Sequence, residues 1–368
     1  MDYLPEISRI IDYGLNGNKK KLTSQVELLI MQLKKKGDVR SAEALHKKLS
    51  LAHENIKSQT TAFSPPIPVE RDNRFQLADE THINDGDIWL ALPENLENYI
   101  NRFLSYLNNK EKLINEGVPV NPTMILHGPP GTGKTKLAGY IASKLNLPLV
   151  TARTDALVSS YLGSTSKNIR MLMDYAQTTP CVLFLDEFDA LAKGRDDSNE
   201  VGELKRVVVS LLQNIDNLKD VVLIAATNHP ELLDKAIWRR FQYKIEVNMP
   251  DISIRKRITE KFLMNHIDKK SIDLFTVITE GLSGADIEAT IYEYLRENIL
   301  NDTETPVSRL LQIAISSKIP SIVFLNDNKK QEIMEVKLKF DLSYEKIAKI
   351  FNVSKTYISR IVNEGIKA

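Results

Sequence analysis

The chain of 368 residues has 42% hydrophobic and 26% charged side chains, the composition of a globular protein with room for two or three domains. Its net charge of +1 argues against a uniformly basic nucleic-acid-binding protein and leaves only a local basic face to consider. The one cysteine, Cys181, excludes a disulfide within the chain. With no apolar leader and no run of about eighteen apolar residues, the sequence predicts a cytoplasmic protein without a membrane span.

Residues 1–60 are predicted to form a small helical module, because apolar residues recur there at helical spacing. One such series comprises Leu22, Val26, Leu29, Ile30 and Leu33. Lysine runs beside it are more often a solvated face than a binding site. Prolines between Ser64 and Pro68 cannot sustain a helix or a central strand, and we expect residues 61–86 to be a linker.

The segment 87–92 has the apolar pattern of a short strand. A helix is expected after Pro93 and should run towards Gly117 with one apolar face. That face comprises Leu96, Ile100, Phe103, Leu104 and Leu107.

Short apolar strands alternate with helices from residue 123 onward. The predicted strands are 124–127, 149–151, 182–186, 221–226 and 243–247. Strands separated by helices indicate an α/β fold with a parallel sheet covered on both sides. Ligands of such sheets bind beyond the carboxyl ends of the strands, and polar motifs follow several of these strands.

The stretch 127–136, HGPPGTGKTK, lies between a predicted strand and a predicted helix. Gly128, Gly131 and Gly133 allow backbone N–H groups to turn inward around a phosphate, and the helix adds its positive N-terminal end. Lys134 can then reach the β- and γ-phosphates, and the Thr135 hydroxyl can ligate Mg²⁺. The pattern predicts a nucleoside triphosphate cradle.

Two acids end the apolar run Cys181-Val-Leu-Phe-Leu185. Asp186 is expected to hold the Mg²⁺ shell, and Glu187 is expected to orient and polarise the attacking water. The pair alone could equally be a surface cap of the strand. Its place after the phosphate loop in a βα pattern favours the metal-nucleotide interpretation.

Asn228 follows the next strand, where an amide can hydrogen-bond a γ-phosphate oxygen and the lytic water. The alternative is a turn-forming Asn before His229-Pro230. Arg239 and Arg240 follow a short predicted helix at 230–238. Arginines can stabilise the developing charge of phosphoryl transfer, although such a pair is usually a surface feature.

With GPPGTGKT, FLDEFDAL, AATNHPELLDKAIWRRF and GLSGADI in that order, residues 87–300 resemble an AAA+ ATPase module of the AAA subgroup. The resemblance implies a nucleotide-binding α/β domain over 87–248 and a helical lid over 249–300. It further implies ATP and Mg²⁺ as cofactors, ATP hydrolysis, and a homo-oligomeric ring, commonly a hexamer, with ATP between neighbours. The residues assigned to the nucleotide are Gly128, Pro129, Pro130, Gly131, Thr132, Gly133, Lys134, Thr135, Lys136, Asp186, Gly284 and Ala285.

One departure and three further assignments follow from the same resemblance. Gly284-Ala285 stands where other AAA+ proteins carry an arginine, so we expect only backbone contact near the adenine there. Arg239 and Arg240 would act as arginine fingers on the neighbouring subunit's γ-phosphate. Tyr161, Leu162 and Gly163 resemble the first pore loop, which grips an extended polypeptide; the alternative is an exposed Tyr packed at a helix start. Residues 202–206 could form a second pore-facing segment.

A narrower likeness concerns residues 198–206, residues 225–234 and the N-terminal helices, which resemble bacterial AAA ATPases paired with a subtilisin-like serine protease. Those pairs are linked to plasmid competition and phage defence. The protease would be a separate chain, because no Ser/His/Asp hydrolase signature is present. The expected function is an ATP-hydrolysing ring ATPase that remodels or threads a protein substrate and feeds or regulates such a protease.

The tail, 301–368, is predicted to be helical, and residues 342–362 resemble a helix-turn-helix. Ser343 and Ser354 are candidate N-caps, and Ala348 is small where two helices would cross. From Val336 to the end, Lys and Arg exceed Asp and Glu by seven to three, a net of +4. DNA binding and simple packing remain equally open, and a DNA-associated ATPase switch is the alternative function.

Overall fold

The computed structural model describes residues 25, 26, 28–30, 33, 41, 45, 65–70, 75–157, 162–192, 201–300, 305–324 and 328–365. The chain divides into two compact units, Met1–Pro66 and Ile67–Ala368. In the first unit, Leu29, Ile30 and Leu33 are buried beside Val26 and Leu45. Helical spacing is confirmed at these positions, and the rest of the predicted module at 1–60 lies outside the described residues.

The second unit is built on a six-stranded sheet with the order β1-β3-β4-β5-β2-β6. Strand β1 pairs antiparallel with β3, and the other neighbouring pairs are parallel. The strands are β1 (Ala78–Thr81), β2 (Thr123–His127), β3 (Leu149–Ala152), β4 (Val182–Leu185), β5 (Val222–Thr227) and β6 (Tyr243–Glu246). The predicted α/β fold with a parallel core sheet is confirmed.

Helices cover both faces of this sheet, and the central strands are apolar on each side. Ile125 and Leu183 contribute to one core, whereas Met124 and Phe184 contribute to the other. Burial on both faces explains why these strands read as continuous apolar runs. Cys181 lies in the first core, where burial raises the pKa of its thiol to about 12 and keeps it protonated.

The α/β part contains eight α-helices among its described residues. They are α1 (Glu94–Asn108), α2 (Lys110–Asn115), α3 (Lys134–Leu145), α4 (Thr154–Leu157), α5 (Leu162–Thr178), α6 (Phe188–Ala192), α7 (Val201–Asn217) and α8 (Lys235–Trp238). The helix predicted after Pro93 is therefore two helices that meet at Asn109. There the Asn109 side-chain amide donates to the Ser105 carbonyl (2.8 Å), which competes with continuation of the helix.

Two predictions before the phosphate loop were wrong. The segment 87–92 is not a strand; Trp89 packs edge-on against Phe262 (6.3 Å between ring centroids), and Arg257 donates to the Leu92 carbonyl (2.8 Å). Its apolar residues divide between two cores: Trp89 and Ala91 pack against the core of the later helices, while Leu90 and Leu92 pack in the core on one face of the sheet. The region 61–86 is not only a linker, because β1 lies within it. This edge strand reads Ala-Asp-Glu-Thr, and so few apolar residues give no strand signal.

Beyond β6, the described residues form seven helices. They are α9 (Ile252–Leu263), α10 (Lys269–Ile278), α11 (Gly284–Leu300), α12 (Val307–Lys318), α13 (Lys329–Phe340), α14 (Tyr344–Phe351) and α15 (Lys355–Gly365). All seven contribute to one apolar core, so the C-terminal helices continue the packing of the lid helices α9–α11. Among the described residues, no helix is long and apolar enough to span a membrane.

Candidate functional site

The glycine-rich loop follows β2 and leads into α3, as the sequence predicts. Gly128 has φ +143°, and a Cβ there would collide with the Val247 carbonyl. Gly131 has φ +75°, and a Cβ there would collide with the Ser283 side chain of the lid. Glycine at these two positions therefore allows the loop to approach the backbone just after β6 on one side and the lid on the other.

Lys134 is buried at the start of α3, and its ammonium donates to the carbonyls of Gly128 (2.7 Å) and Pro129 (2.8 Å). Burial lowers its pKa, and the nearby carboxylates of Asp186 and Asp189 oppose that change. The side chain is thus a desolvated cation within the loop. Phosphate oxygens are stronger acceptors for it than neutral carbonyls are.

Thr135 and Asp186 lie together at the carboxyl edge of the sheet, where the Thr135 hydroxyl donates to Asp186 Oδ2 (2.9 Å). A hydroxyl and a carboxylate are hard oxygen donors of the kind that Mg²⁺ prefers. Two protein oxygens suit a cation that takes its other ligands from phosphate and water. The residues present therefore fit Mg²⁺ bound together with a nucleotide.

Glu187 has a backbone φ of +49°, which is unusual for a residue with a side chain. Its N–H donates to Asp186 Oδ1 (2.9 Å), and its carboxyl group is exposed in the same cleft as Lys134. The strand β4 ends at Leu185, one residue earlier than predicted, so both acids lie in the turn that follows it. Backbone strain of this kind concentrates at functional sites.

Asn228 follows β5 and is exposed in the cleft. The Thr227 hydroxyl before it donates to Asp189 Oδ1 (2.7 Å) and accepts from the His229 N–H (2.9 Å). These bonds fix the turn that presents Asn228. Sequence reasoning did not single out Asp189, although its place within the run Asp186-Glu-Phe-Asp189 on a βα turn was an available signal.

The lid closes the cleft from the other side. The N–H of Ala285 donates to the Gly131 carbonyl (3.1 Å), and Lys136 forms an ion pair with Glu288 of α11. The cleft has a volume of about 350 Å³. Its described lining is Trp89, Leu90, Ala91, Pro130, Gly131, Thr132, Gly133, Lys134, Thr135, Lys136, Asp186, Glu187, Asn228, Ile258, Gly284, Ala285 and Glu288. One end is thus polar and one end apolar, which suits a phosphate chain attached to a base.

Arg239 and Arg240 do not line this cleft within their own subunit. Arg240 forms an ion pair with Asp216 of α7 (3.0 Å), and its carbonyl accepts from the Thr123 hydroxyl (2.8 Å). Arg239 is exposed, and its side chain forms no ion pair with a described residue. Just before it, the Trp238 ring packs edge-on against His127 (5.2 Å between centroids) at the start of the glycine-rich loop.

The structure describes only part of the predicted pore loop. Tyr161 lies outside the described residues, and α5 begins at Leu162, followed by Gly163. Of the stretch 198–206, only the helical backbone from Val201 onward is described. These assignments therefore stay predictions.

A family model described as "ATPase family associated with various cellular activities (AAA)" matches residues 124–249. An uncharacterized AAA family ATPase of Sinorhizobium fredii is 36% identical over 286 residues, which are 77% of this chain and 86% of that protein. A proteasome-activating nucleotidase of Methanococcus maripaludis is 33% identical over 253 residues, 65% of this chain and 61% of that protein. A Methanocaldococcus jannaschii protein, provisionally named a 26S proteasome regulatory subunit homolog, is 36% identical over 208 residues, 55% of each chain. The match thus spans 55% to 61% of the length of these last two relatives.

Proposed function

The chain belongs to the AAA family of ATPases, and from this premise we propose that it hydrolyses ATP and uses the energy to remodel or thread a protein substrate. One observation supports the proposal. A single cleft beneath the lid is lined by Lys134, Thr135, Asp186, Glu187 and Asn228. Each has the chemistry that a step of phosphoryl transfer to water requires.

Bound Mg²⁺ and ATP would supply the γ-phosphoryl group and the cation that offsets its charge. Thr135 and Asp186 would hold the metal. The Lys134 ammonium would exchange the loop carbonyls for β- and γ-phosphate oxygens. The base would lie at the apolar end of the cleft, near Trp89 and Ile258.

Glu187 would orient the attacking water and take its proton, because its carboxyl group faces the cleft directly after β4. Asn228 would donate its amide to a γ-phosphate oxygen and accept from the same water. The Thr227–Asp189 hydrogen bond would hold Asn228 in place for this task. Together they form the hydrolytic half of the site.

The other half is proposed to come from a second copy of the chain. Lys134 and Lys136 are the only cations among the described residues that line the cleft, and Lys136 is paired with Glu288. Arg239 is exposed and lies outside its own cleft. We propose that it completes a neighbour's site in a head-to-tail homo-oligomeric ring, commonly a hexamer in this family.

The assignment of a protein substrate and of a protease partner rests on similarity to other proteins. Two similar proteins carry names that refer to the proteasome, and one of them is named as its activator. We propose by analogy that this chain delivers protein substrates to a protease in a separate chain, a subtilisin-like serine protease being the candidate. Tyr161 and Leu162 would grip the substrate.

Two variants test this function. Glu187→Gln should bind ATP, lose hydrolysis by about a hundredfold or more, and trap an unprocessed protein substrate together with its partner. Tyr161→Ala should keep ATP hydrolysis near the wild-type rate while work on the trapped substrate is lost. Undiminished remodelling by Tyr161→Ala would rule out the proposed grip, and full hydrolysis by Glu187→Gln would rule out the assigned chemistry.

A further inference from the structure

We propose that α14 and α15 form a docking surface for duplex DNA, with α15 entering the major groove. Helix α14 ends at Phe351, and α15 begins at Lys355 after a turn of three residues, Asn352, Val353 and Ser354. Asn352 has φ +51°, the left-handed conformation that turns the chain sharply between the helices. The Val353 N–H then donates to the Ala348 carbonyl (3.0 Å) and closes the turn. This arrangement is the one by which helix-turn-helix proteins present a helix to the groove.

The crossing of the two helices is fixed from the inside. Ala348 of α14 and Ile358 and Ile361 of α15 are buried in the same apolar core. Each helix also has an N-cap: the Ser343 hydroxyl accepts from the Lys346 N–H, and the Ser354 hydroxyl accepts from the Tyr357 N–H. A fixed crossing is required if the outer face of α15 is to keep one orientation towards DNA.

The outer face of α15 is polar and exposed. Lys355, Thr356, Arg360 and Asn363 are exposed, and Ser359 is half-buried beside them. Arginine and asparagine can each form two hydrogen bonds with a purine edge, while lysine, serine and threonine can bind phosphate or bases. The face therefore has the side chains that major-groove readout needs. The buried face of α15 carries none of these polar side chains.

The charge of this region is complementary to a phosphate backbone. Residues 344–365, which comprise α14, α15 and the turn between them, carry Lys346, Lys349, Lys355 and Arg360 against Glu345 and Glu364, a net charge of +2. In a chain whose net charge is +1, these four cations form a local concentration of positive charge. The Lys349 ammonium donates to Ser271 Oγ of the lid (2.6 Å). Arg360 Nε lies 3.9 Å from Oε1 of the exposed Glu364, at the long end of the range for an ion pair. Lys346, Lys355 and Arg360 thus remain available for phosphate contacts.

The DNA-docking helices are attached to the lid rather than to the sheet. Helix α12 packs between the lid and α14, where Gln312 donates to the Ile350 carbonyl (2.9 Å). Deleting the C-terminal helices would therefore expose the lid core, and loss of DNA binding in a truncated chain would prove nothing. The test needs substitutions on the exposed face of the full chain.

The test is fluorescence anisotropy of a labelled mixed-sequence duplex of about 30 base pairs, without nucleotide, in about 50 and 200 mM salt. Wild-type chain should bind, and its affinity should fall steeply with salt. The double variant Lys355→Ala/Arg360→Ala should bind about tenfold more weakly at the lower salt and lose about two units of the slope of log affinity against log salt. Thr356→Glu, which places a negative charge on the same face, should also weaken binding.

The matched control is Arg102→Ala/Lys112→Ala, which removes the same charge from exposed positions on α1 and α2 and should bind like wild type. No duplex binding at the lower salt, equal losses in both double variants, or equal affinity for single-stranded DNA would each overturn the proposal. ATP hydrolysis and thermal unfolding of the Lys355/Arg360 variant should match wild type. A defect in hydrolysis would thus be recognised separately from a defect in docking.

Discussion

At the scale of single residues, the adjacent Arg239 and Arg240 differ in the contacts that their side chains make. Arg240 is tied to Asp216 through three hydrogen bonds of its guanidinium group, and this pairing raises its pKa. Arg239 is exposed and has no such partner among the described residues. Sequence reasoning treated the two as equivalent fingers, because identical side chains in a row carry no information about their contacts. The structure favours Arg239 as the side chain free to reach a neighbour.

We therefore expect Arg239→Ala to lower kcat for ATP by about a thousandfold, because it removes a guanidinium from the developing charge of the transition state. Its unfolding temperature should match wild type. Arg240→Ala should lower the unfolding temperature and reduce kcat less. Steady-state ATP hydrolysis and thermal unfolding measure both effects.

Asp216→Ala is the matched control, since it removes the partner of Arg240 and leaves both arginines in place. If Arg240 acts by holding α7 against the arginine segment, Asp216→Ala and Arg240→Ala should shift the unfolding temperature alike, and the double variant should add little. Wild-type turnover by Arg239→Ala, together with an inactive Arg240→Ala, would reverse the assignment.

At the scale of elements, the contact between the glycine-rich loop and the lid sets the shape of the cleft. Gly131→Ala would force a side chain into the left-handed region and into Ser283. The strain alone costs about 1 to 2 kcal/mol, and displacement of the lid adds to it. We expect KM for ATP to rise about tenfold or more, measured by steady-state hydrolysis and by nucleotide titration.

Gly117→Ala isolates the strain from the lid contact. Gly117 has the same φ of +75°, but a Cβ there would meet no atom within 4 Å. It should lower the unfolding temperature and leave KM unchanged. Equal increases in KM for the two variants would show that the loop–lid contact does not shape the nucleotide site.

The elements differ in how far the sequence predicts them. β2, β4 and β5 are buried on both faces, so their apolar runs identify them from sequence alone, to within a residue at each end. β1 is a polar edge strand whose partner, β3, is about seventy residues away in the chain, and no local pattern marks it. The segment 87–92, which contains Trp89, shows the opposite error, because its apolar pattern predicted a strand that is not present. There the apolar residues alternate between the core that contains α9 and the core on the sheet, and both cores are assembled from parts of the chain far away in the sequence.

The residues of the candidate site also differ in how far the sequence predicts them. The phosphate loop, Asp186, Glu187 and Asn228 were predictable because each follows a recognisable strand. The role of Asp189 in holding Thr227 and the ion pair of Lys136 with Glu288 depend on long-range contacts. The left-handed backbone of Glu187 was equally invisible, since it arises where β4 turns into α6.

At the scale of the whole molecule, the lid and the C-terminal helices share one core, so they are expected to move together when nucleotide binding shifts the lid. The nucleotide cleft, by contrast, carries only the cations of Lys134 and Lys136 among its described lining. The central claim follows from that shortage of positive charge. We propose that each site is completed by Arg239 of another copy, in which case a single copy would be an incomplete enzyme.

Mixing two inactive variants tests this claim most directly. Glu187→Gln lacks the group that activates water but can donate Arg239, while Arg239→Ala keeps Glu187 but cannot complete its neighbour's site. Equal mixtures should recover about a quarter of the wild-type ATP hydrolysis rate, because random assembly pairs an intact Glu187 with a neighbour's intact Arg239 at about one interface in four. No recovery at any mixing ratio, or wild-type turnover by Arg239→Ala alone, would contradict a catalytic site shared between copies.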